Sequence, residues 1–327
     1  MNRRDTLYVL LALGTAPLAR AQQPVKIRRI GVLAVRPRST PSEPEVFQDS
    51  FLRGMRDLGY VEGKNLAIEW RFADGQYDRL PGLAAELVKM DVEVIVTHST
   101  PATRVLQQAT RKIPIVTGLA DPVADGFAAS LARPGGNITG LSVIAVDVSP
   151  KHVDLLKSFV PGLSRTAFLS NPDNIAMEAI LKRVQETADR VAIKIEILEA
   201  RTPHEIEKGY LRAAQDRMQA MIVASDSFFL HQRRQIADLA AKNRMPSIFA
   251  FREHVVAGGL VSYGQDLASA YKYLATYVDK ILKGAKPSEL PFEQPTKIHV
   301  AINRKAANAL RLKIPPDLLL RADEVIE

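Results

Sequence analysis

The residues able to do chemistry in this 327-residue chain are six histidines and a scatter of carboxylates and hydroxyls, with no cysteine. His98, His152, His204, His231, His254 and His299 never recur at i, i+4 or another metal-ligand spacing, and without thiolates no metal site is expected. No Gly-x-Ser-x-Gly builds a nucleophile elbow, and no phosphate loop ends in Gly-Lys-Ser/Thr. Gly135-Gly136-Asn137-Ile138-Thr139-Gly140 precedes an apolar run instead of opening a helix after one. It therefore reads as turn punctuation, not as a dinucleotide fingerprint. No nucleophile–base pair can be named, so the chain reads as a non-enzyme with no catalytic residue and no cofactor.

Polar residues at the ends of apolar runs suit binding better. In an open parallel sheet, ligands settle beyond the carboxyl ends of the strands, where helix N-termini offer free N–H groups. Arg36 follows IGVLAV and can meet an anion there. Thr100 is expected to cap a helix opened by Pro101, leaving Ser99 and the first backbone amides to face a carboxylate. Asp226 follows the apolar AMIVAS and can meet an ammonium; Asp121 either does the same or caps the next helix. Further loops of this kind are 171–174, with Asn174, and 251–253. Phe228, Phe229, Phe249, Phe251 and Tyr263 concentrate near these ends in a chain with 6% aromatics, as a stacking wall or as core.

Such loops need a repeating scaffold. Residues 30–35, 66–72, 92–97, 113–119 and 138–144 read as strands, alternating with helices near 47–58, 80–88, 100–110 and 123–131. The pattern restarts with a helix at 149–159 and strands at 166–170, 193–198, 220–224, 247–251 and 259–263. Strands and helices alternating at this spacing mean parallel β-α units, and the chain is too long for one efficient core, so two similar lobes are predicted. Leu267, Ala270, Tyr271, Leu274, Tyr277, Val278, Ile281 and Leu282 then follow the i, i+3, i+4, i+7 template, with Asp266 as N-cap and Gly284 as the stop. A proline-rich connector, a strand at 298–302 and a short helix at 306–312 imply that the chain recrosses between lobes.

The opening MNRRDTLYVLLALGTAPLARAQQP has a basic start, an apolar middle and an Ala19-Arg20-Ala21 cleavage site. Export by a cleaved signal peptide is expected, by the twin-arginine or the general secretion route. Cleavage removes three arginines and one aspartate, so the formal +8 falls to +6. Those charges form no block of five or more, and nucleic acid is not expected as a partner. With no cysteine to lipidate, the product is expected free in the periplasm.

Four stretches, IPIVTGLADPVADGFAASLARPGGNITGLS, GGLVSYGQDL, ILKGAKPSELPFEQPTK and INRKAANALRLKIPPDLLLRADEVIE, resemble the substrate-binding proteins of ABC importers. The resemblance is to a tryptophan/tyrosine-binding branch and runs over essentially the whole mature chain. It implies the type I periplasmic binding protein fold: α/β, two Rossmann-like lobes with parallel sheets, joined by a three-crossover hinge, with ligand in the cleft. It divides the chain into a signal peptide (1–21), an N-terminal lobe (22–144 plus 265–293) and a C-terminal lobe (145–264 plus 294–327). Carried over by position, the cleft loops include Ser99, Thr100, Asp121, Asn174, Asp226 and Tyr263, beside Arg36. The resemblance also implies a small carboxylate-bearing ligand, amino-acid-like or aromatic, an ABC permease in the inner membrane as partner, and a monomer. A ligand-sensing module for a membrane receptor and an exported α/β enzyme are the alternatives.

Overall fold

Apolar, β-branched runs without alternation need cover on both faces, and here they enter two largely parallel sheets flanked by helices. The computed structural model describes residues 26–41, 44–143, 145–294 and 297–327; the expected signal peptide at 1–21 lies outside the described residues.

The first sheet contains β1 (Arg28–Ala34), β2 (Leu66–Phe72), β3 (Val94–Thr97), β4 (Ile115–Leu119) and β5 (Ile138–Ser142), ordered β2-β1-β3-β4-β5 and parallel throughout. Around it pack α1 (Val46–Asp57), α2 (Leu80–Lys89) and α3 (Thr100–Ala109). From β5 the chain passes into α4 (Ala145–Phe159) and the second sheet. That sheet contains β6 (Arg165–Ser170), β7 (Lys194–Glu199), β8 (Met221–Val223), β9 (Ser247–Phe249), β10 (Val261–Gln265), β11 (Ile298–Asn303) and β12 (Glu324–Ile326), ordered β12-β11-β10-β9-β8-β6-β7. Only the β10–β11 pair is antiparallel. Its helices are α5 (Met177–Arg190), α6 (Pro203–Gln215), α7 (Ser227–His231), α8 (Arg233–Lys242) and α9 (Arg252–Val256).

After β10 the chain returns to the first sheet through α10 (Leu267–Leu282), whose Leu267, Tyr271, Leu274 and Val278 share a core with Phe47, Phe51 and Met55 of α1. Asp266 caps this helix through Ala268 N–H, and Gly284 ends it at φ 101°. The close α1–α10 approach requires Gly54: a Cβ there would lie 2.5 Å from the Lys272 carbonyl oxygen. The connector then carries the chain back to β11, α11 (Arg304–Ala309), α12 (Pro316–Arg321) and β12. Three passages between sheets follow, giving the type I periplasmic binding protein fold.

Three expectations need correction. No helix forms over 123–131; Asp121 caps one turn, Phe127 and Ala128 N–H both bond the Pro122 carbonyl, and Gly126 at φ 71° ends it. The strand read at 259–263 runs instead from Val261 to Gln265. The helix expected at 306–312 covers 304–309, two residues earlier at its start.

Candidate functional site

The strand order reverses beside β1 and β3 in the first sheet, and beside β6 and β8 in the second. The loops after those strands diverge and leave a crevice at each switch point. Arg36 follows β1 and Ser99-Thr100 follows β3, while Asn171 to Asn174 follows β6 and Asp226 follows β8. These loops meet across one cleft whose empty volume, mouth included, is about 690 Å³.

On the N-terminal side, Arg36 is 6% exposed and its Nε lies 2.6 Å from Glu45 Oε1. Its Nη2 donates to Tyr271 Oη at 3.3 Å. Burial disfavours the charged guanidinium, but Glu45 and Tyr271 outweigh it and hold the pKa above the ordinary arginine value. Glu45 also caps α1, accepting from Phe47 and Gln48 N–H. His98 packs edge-on to Tyr271, with ring centroids 4.3 Å apart. Burial and the neighbouring Arg36 push its pKa down to about 3, so the imidazole is neutral at physiological pH. Only glycine fits opposite that ring, since a Cβ on Gly118 would lie 2.5 Å from His98 Cδ2.

Ser99 and Thr100 exchange the roles expected of them. Ser99 is extended (φ −171°) and caps α3 through Ala102 N–H at 3.1 Å, so Thr100 becomes the first helical residue. Pro101 has no N–H, and Thr103 N–H already bonds the Ser99 carbonyl. Among the described residues Thr100 N–H has no partner in this first turn, and Thr100 lines the cavity.

On the C-terminal side, Asp226 is 2% exposed and caps α7 through Phe228 and Phe229 N–H. Its carboxylate also accepts from Asn171 Nδ2 at 3.2 Å, Asn174 Nδ2 at 2.9 Å and, across the cleft, Tyr77 Oη at 2.8 Å. Burial pushes its pKa up, against the lowering effect of Asn174, Tyr77 and Asn171. Leu230 of α7 enters the N-terminal core beside Phe47 and Tyr271, so the lobes are closed on one another.

Arg36, Ser99, Thr100, Asn174 and Asp226 thus converge on the cavity. Asp121 does not line it; its Oδ1 is engaged by Val123 and Ala124 N–H. Tyr263 lies below the tip of β10, edge-on to His152, while Gly264 and Gln265 reach the cavity instead. Of the expected aromatic wall only Phe251 lines the cavity; Phe228, Phe229 and Phe249 are core. Tyr77, His98, Gln265 and Tyr271 line the cavity as well, none of them among the residues expected there. Among them Tyr271 carried a signal, one turn after a clear N-cap. Among the described residues no group of three His, Asp or Glu side chains is placed to hold a metal, and no helix is long and apolar enough to cross a membrane.

A family model described as ABC transporter substrate binding protein matches residues 39–326. The tyrosine-binding protein of Clostridioides difficile (strain R20291) is 22% identical over 265 residues, which are 80% of this chain and 76% of that protein. The crystal structure of a conserved domain protein from Vibrio cholerae O1 biovar El Tor str. N16961 superposes with a TM-score of 0.84 at 26% identity, covering 92% of this chain and 100% of that one. The ABC domain from Streptococcus pneumonia in complex with L-Trp superposes at 0.82 and 23% identity, with the same coverage. The chain belongs to the ABC transporter substrate binding protein family.

Proposed function

We propose that this protein captures a small carboxylate-bearing ligand, amino-acid-like or aromatic, between its lobes and delivers it to an ABC permease in the inner membrane. The observation that carries the reading is Arg36. Its guanidinium is buried, braced by Glu45 and Tyr271, and the side chain lines the cavity. A prepositioned cation of this kind meets a carboxylate with paired, charge-assisted hydrogen bonds and little loss of side-chain freedom. Thr100 adds an N–H and a hydroxyl on the same lobe. Apolar Val143, Val148, Ile180 and Leu230 and aromatic Phe251 and Tyr271 line the remainder and suit a hydrocarbon or ring.

Relatives named for tyrosine binding and solved with L-Trp support a ligand of that size. The lobes are read as 22–144 plus 265–293 and 145–264 plus 294–327, closing as a hinge on the ligand. Export to the periplasm as a monomer rests on the signal sequence and the family. Thermal shift with a panel of carboxylic acids tests the reading. A ligand at 100 times its Kd stabilises by about 2.7 kcal/mol, and the shift is expected to vanish in Arg36→Gln. No shift from any carboxylate, or an equal shift in that variant, would overturn the reading.

A further inference from the structure

A ligand's ammonium needs an acceptor with a lone pair to spare, and the carboxylate in the cavity wall has none. Asp226 lines the cavity, but its Oδ1 accepts from Phe228 N–H, Phe229 N–H and Asn171 Nδ2, and its Oδ2 from Asn174 Nδ2 and Tyr77 Oη. A carboxylate presents about four lone-pair sites, so these donors fill it. Glu45 is taken up by Arg36 and the α1 cap.

Two other acceptors, both beside Tyr271, are free. His98 lines the cavity, and its Nε2 is buried with no hydrogen-bond partner among the described residues. The ring donates to the backbone carbonyl of His98 itself, so the proton sits on Nδ1 and Nε2 keeps its lone pair. With the pKa held at about 3, the ring stays an acceptor at physiological pH. From the C-terminal lobe comes Glu253, whose Oε2 is likewise buried without a partner. It stands two residues after Phe251, which lines the cavity, and its charge acts on both Arg36 and Tyr271. Burial pushes its pKa up, as it does for a carboxylate short of cationic partners. Buried charges are ordinarily paired, so this oxygen has a place for a cation.

We infer that Glu253 and His98 together receive the ligand's α-ammonium: Glu253 Oε2 supplies the negative charge and His98 Nε2 a neutral lone pair, beside the carboxylate on Arg36. This rests on the reading that Arg36 holds a carboxylate in the cleft. Glu253 is not itself in the lining, so its side chain turns toward Tyr271 as the ligand enters. The zwitterion then ties the N-terminal lobe, through Arg36, to the C-terminal lobe, through Glu253. Calorimetric titration of matched pairs tests this: L-tryptophan against indole-3-propanoate, L-phenylalanine against 3-phenylpropanoate, and L-leucine against 4-methylpentanoate. In the pairs that bind, the amino acid is expected to bind at least about ten-fold more tightly. In Glu253→Gln, which keeps the shape and removes the charge, that ratio should collapse toward one. In His98→Phe, which keeps the edge-on ring and removes the lone pair, it should fall by about five-fold. A deaminated acid that binds as tightly as its amino acid, both being lost in Arg36→Gln, would leave the carboxylate reading standing and overturn the ammonium site. A wild-type preference that survives Glu253→Gln would also overturn it. If neither member of any pair binds, both readings fall.

Discussion

Arg36 and Asp226 are buried charges set by equivalent topology on opposite lobes, yet Arg36 is held by two side chains and Asp226 by five donors. Each follows a strand at the switch point of its sheet. Glu45 and Tyr271 brace two nitrogens of the guanidinium, and the side chain lines the cavity. Asp226 is filled by two helix amides, two asparagines and a tyrosine from the other lobe. A charge at a strand tip is therefore not by itself a ligand contact. What decides is how many partners the surrounding chain already supplies. On the proposed reading Arg36 meets the ligand, while Asp226 caps α7 and bonds Tyr77 across the cleft.

The harshest way to break this contrast is Arg36→Met. Removing the cation strands Glu45, 11% exposed by its side chain, without its partner. Loss of one member of a buried pair costs about 3–5 kcal/mol, and carboxylate binding should disappear. Adding Glu45→Gln should restore much of the stability and none of the binding. Denaturant unfolding and calorimetry on both variants would check this, and restored binding in the double variant would sink the assignment.

Asp226→Ala attacks the other side. It deletes the α7 cap, worth about 1 kcal/mol, and orphans buried donors on Asn171 and Asn174 at about 1–3 kcal/mol. The ligand-free protein should also open, seen as a larger radius of gyration in solution scattering. An unchanged radius would mean that Asp226 does not fasten the lobes.

Acid acts on the two sides in opposite senses. The His98 pKa is pushed down to about 3, so the unfolded chain binds a proton that the folded protein refuses. Stability from His98 is complete above about pH 6.5 and is lost as pH falls, by about 1.4 kcal/mol per pH unit below that value. Between pH 6.5 and 5 this amounts to about 2 kcal/mol. Asp226 is raised, so the folded state holds its proton more tightly, and its contribution grows as pH falls toward the carboxylate range. Calorimetric unfolding across this range should show a flatter acid limb in His98→Asn and a steeper one in Asp226→Asn. The reverse order would contradict both assignments.

How much of this was legible in the sequence depended on whether the controlling partner was local. Arg36, Ser99 and Thr100 could be found because each ends an apolar run, and the helix from Asp266 could be bounded because its cap and stop are adjacent in sequence. The position of Asp226 was legible, but its saturation was not, since Asn171 and Asn174 lie more than fifty residues away. Asp121-Pro122 read as a helix start, but Gly126 allowed a single turn. Reading β10 two residues early placed Tyr263 at the tip and hid Gln265. Tyr77 sits in a short 3-10 turn (Tyr77–Arg79) with no periodicity, and only the approach of the lobes gives it a role.

That makes Tyr77→Phe the finest probe of the comparison. The substitution keeps the ring against the C-terminal core and removes one hydroxyl, the hydrogen bond that joins Arg36's lobe to Asp226. Asp226 keeps four donors, so the folded lobes should lose little. The cost, about 1 kcal/mol or roughly five-fold, should fall on the closed state, and therefore on ligand release more than on capture. Stopped-flow dissociation should quicken by that factor while association changes less. Equal slowing of association would instead assign Tyr77 to the open cleft, and the bond between the two charged sides would no longer explain why Asp226 is filled.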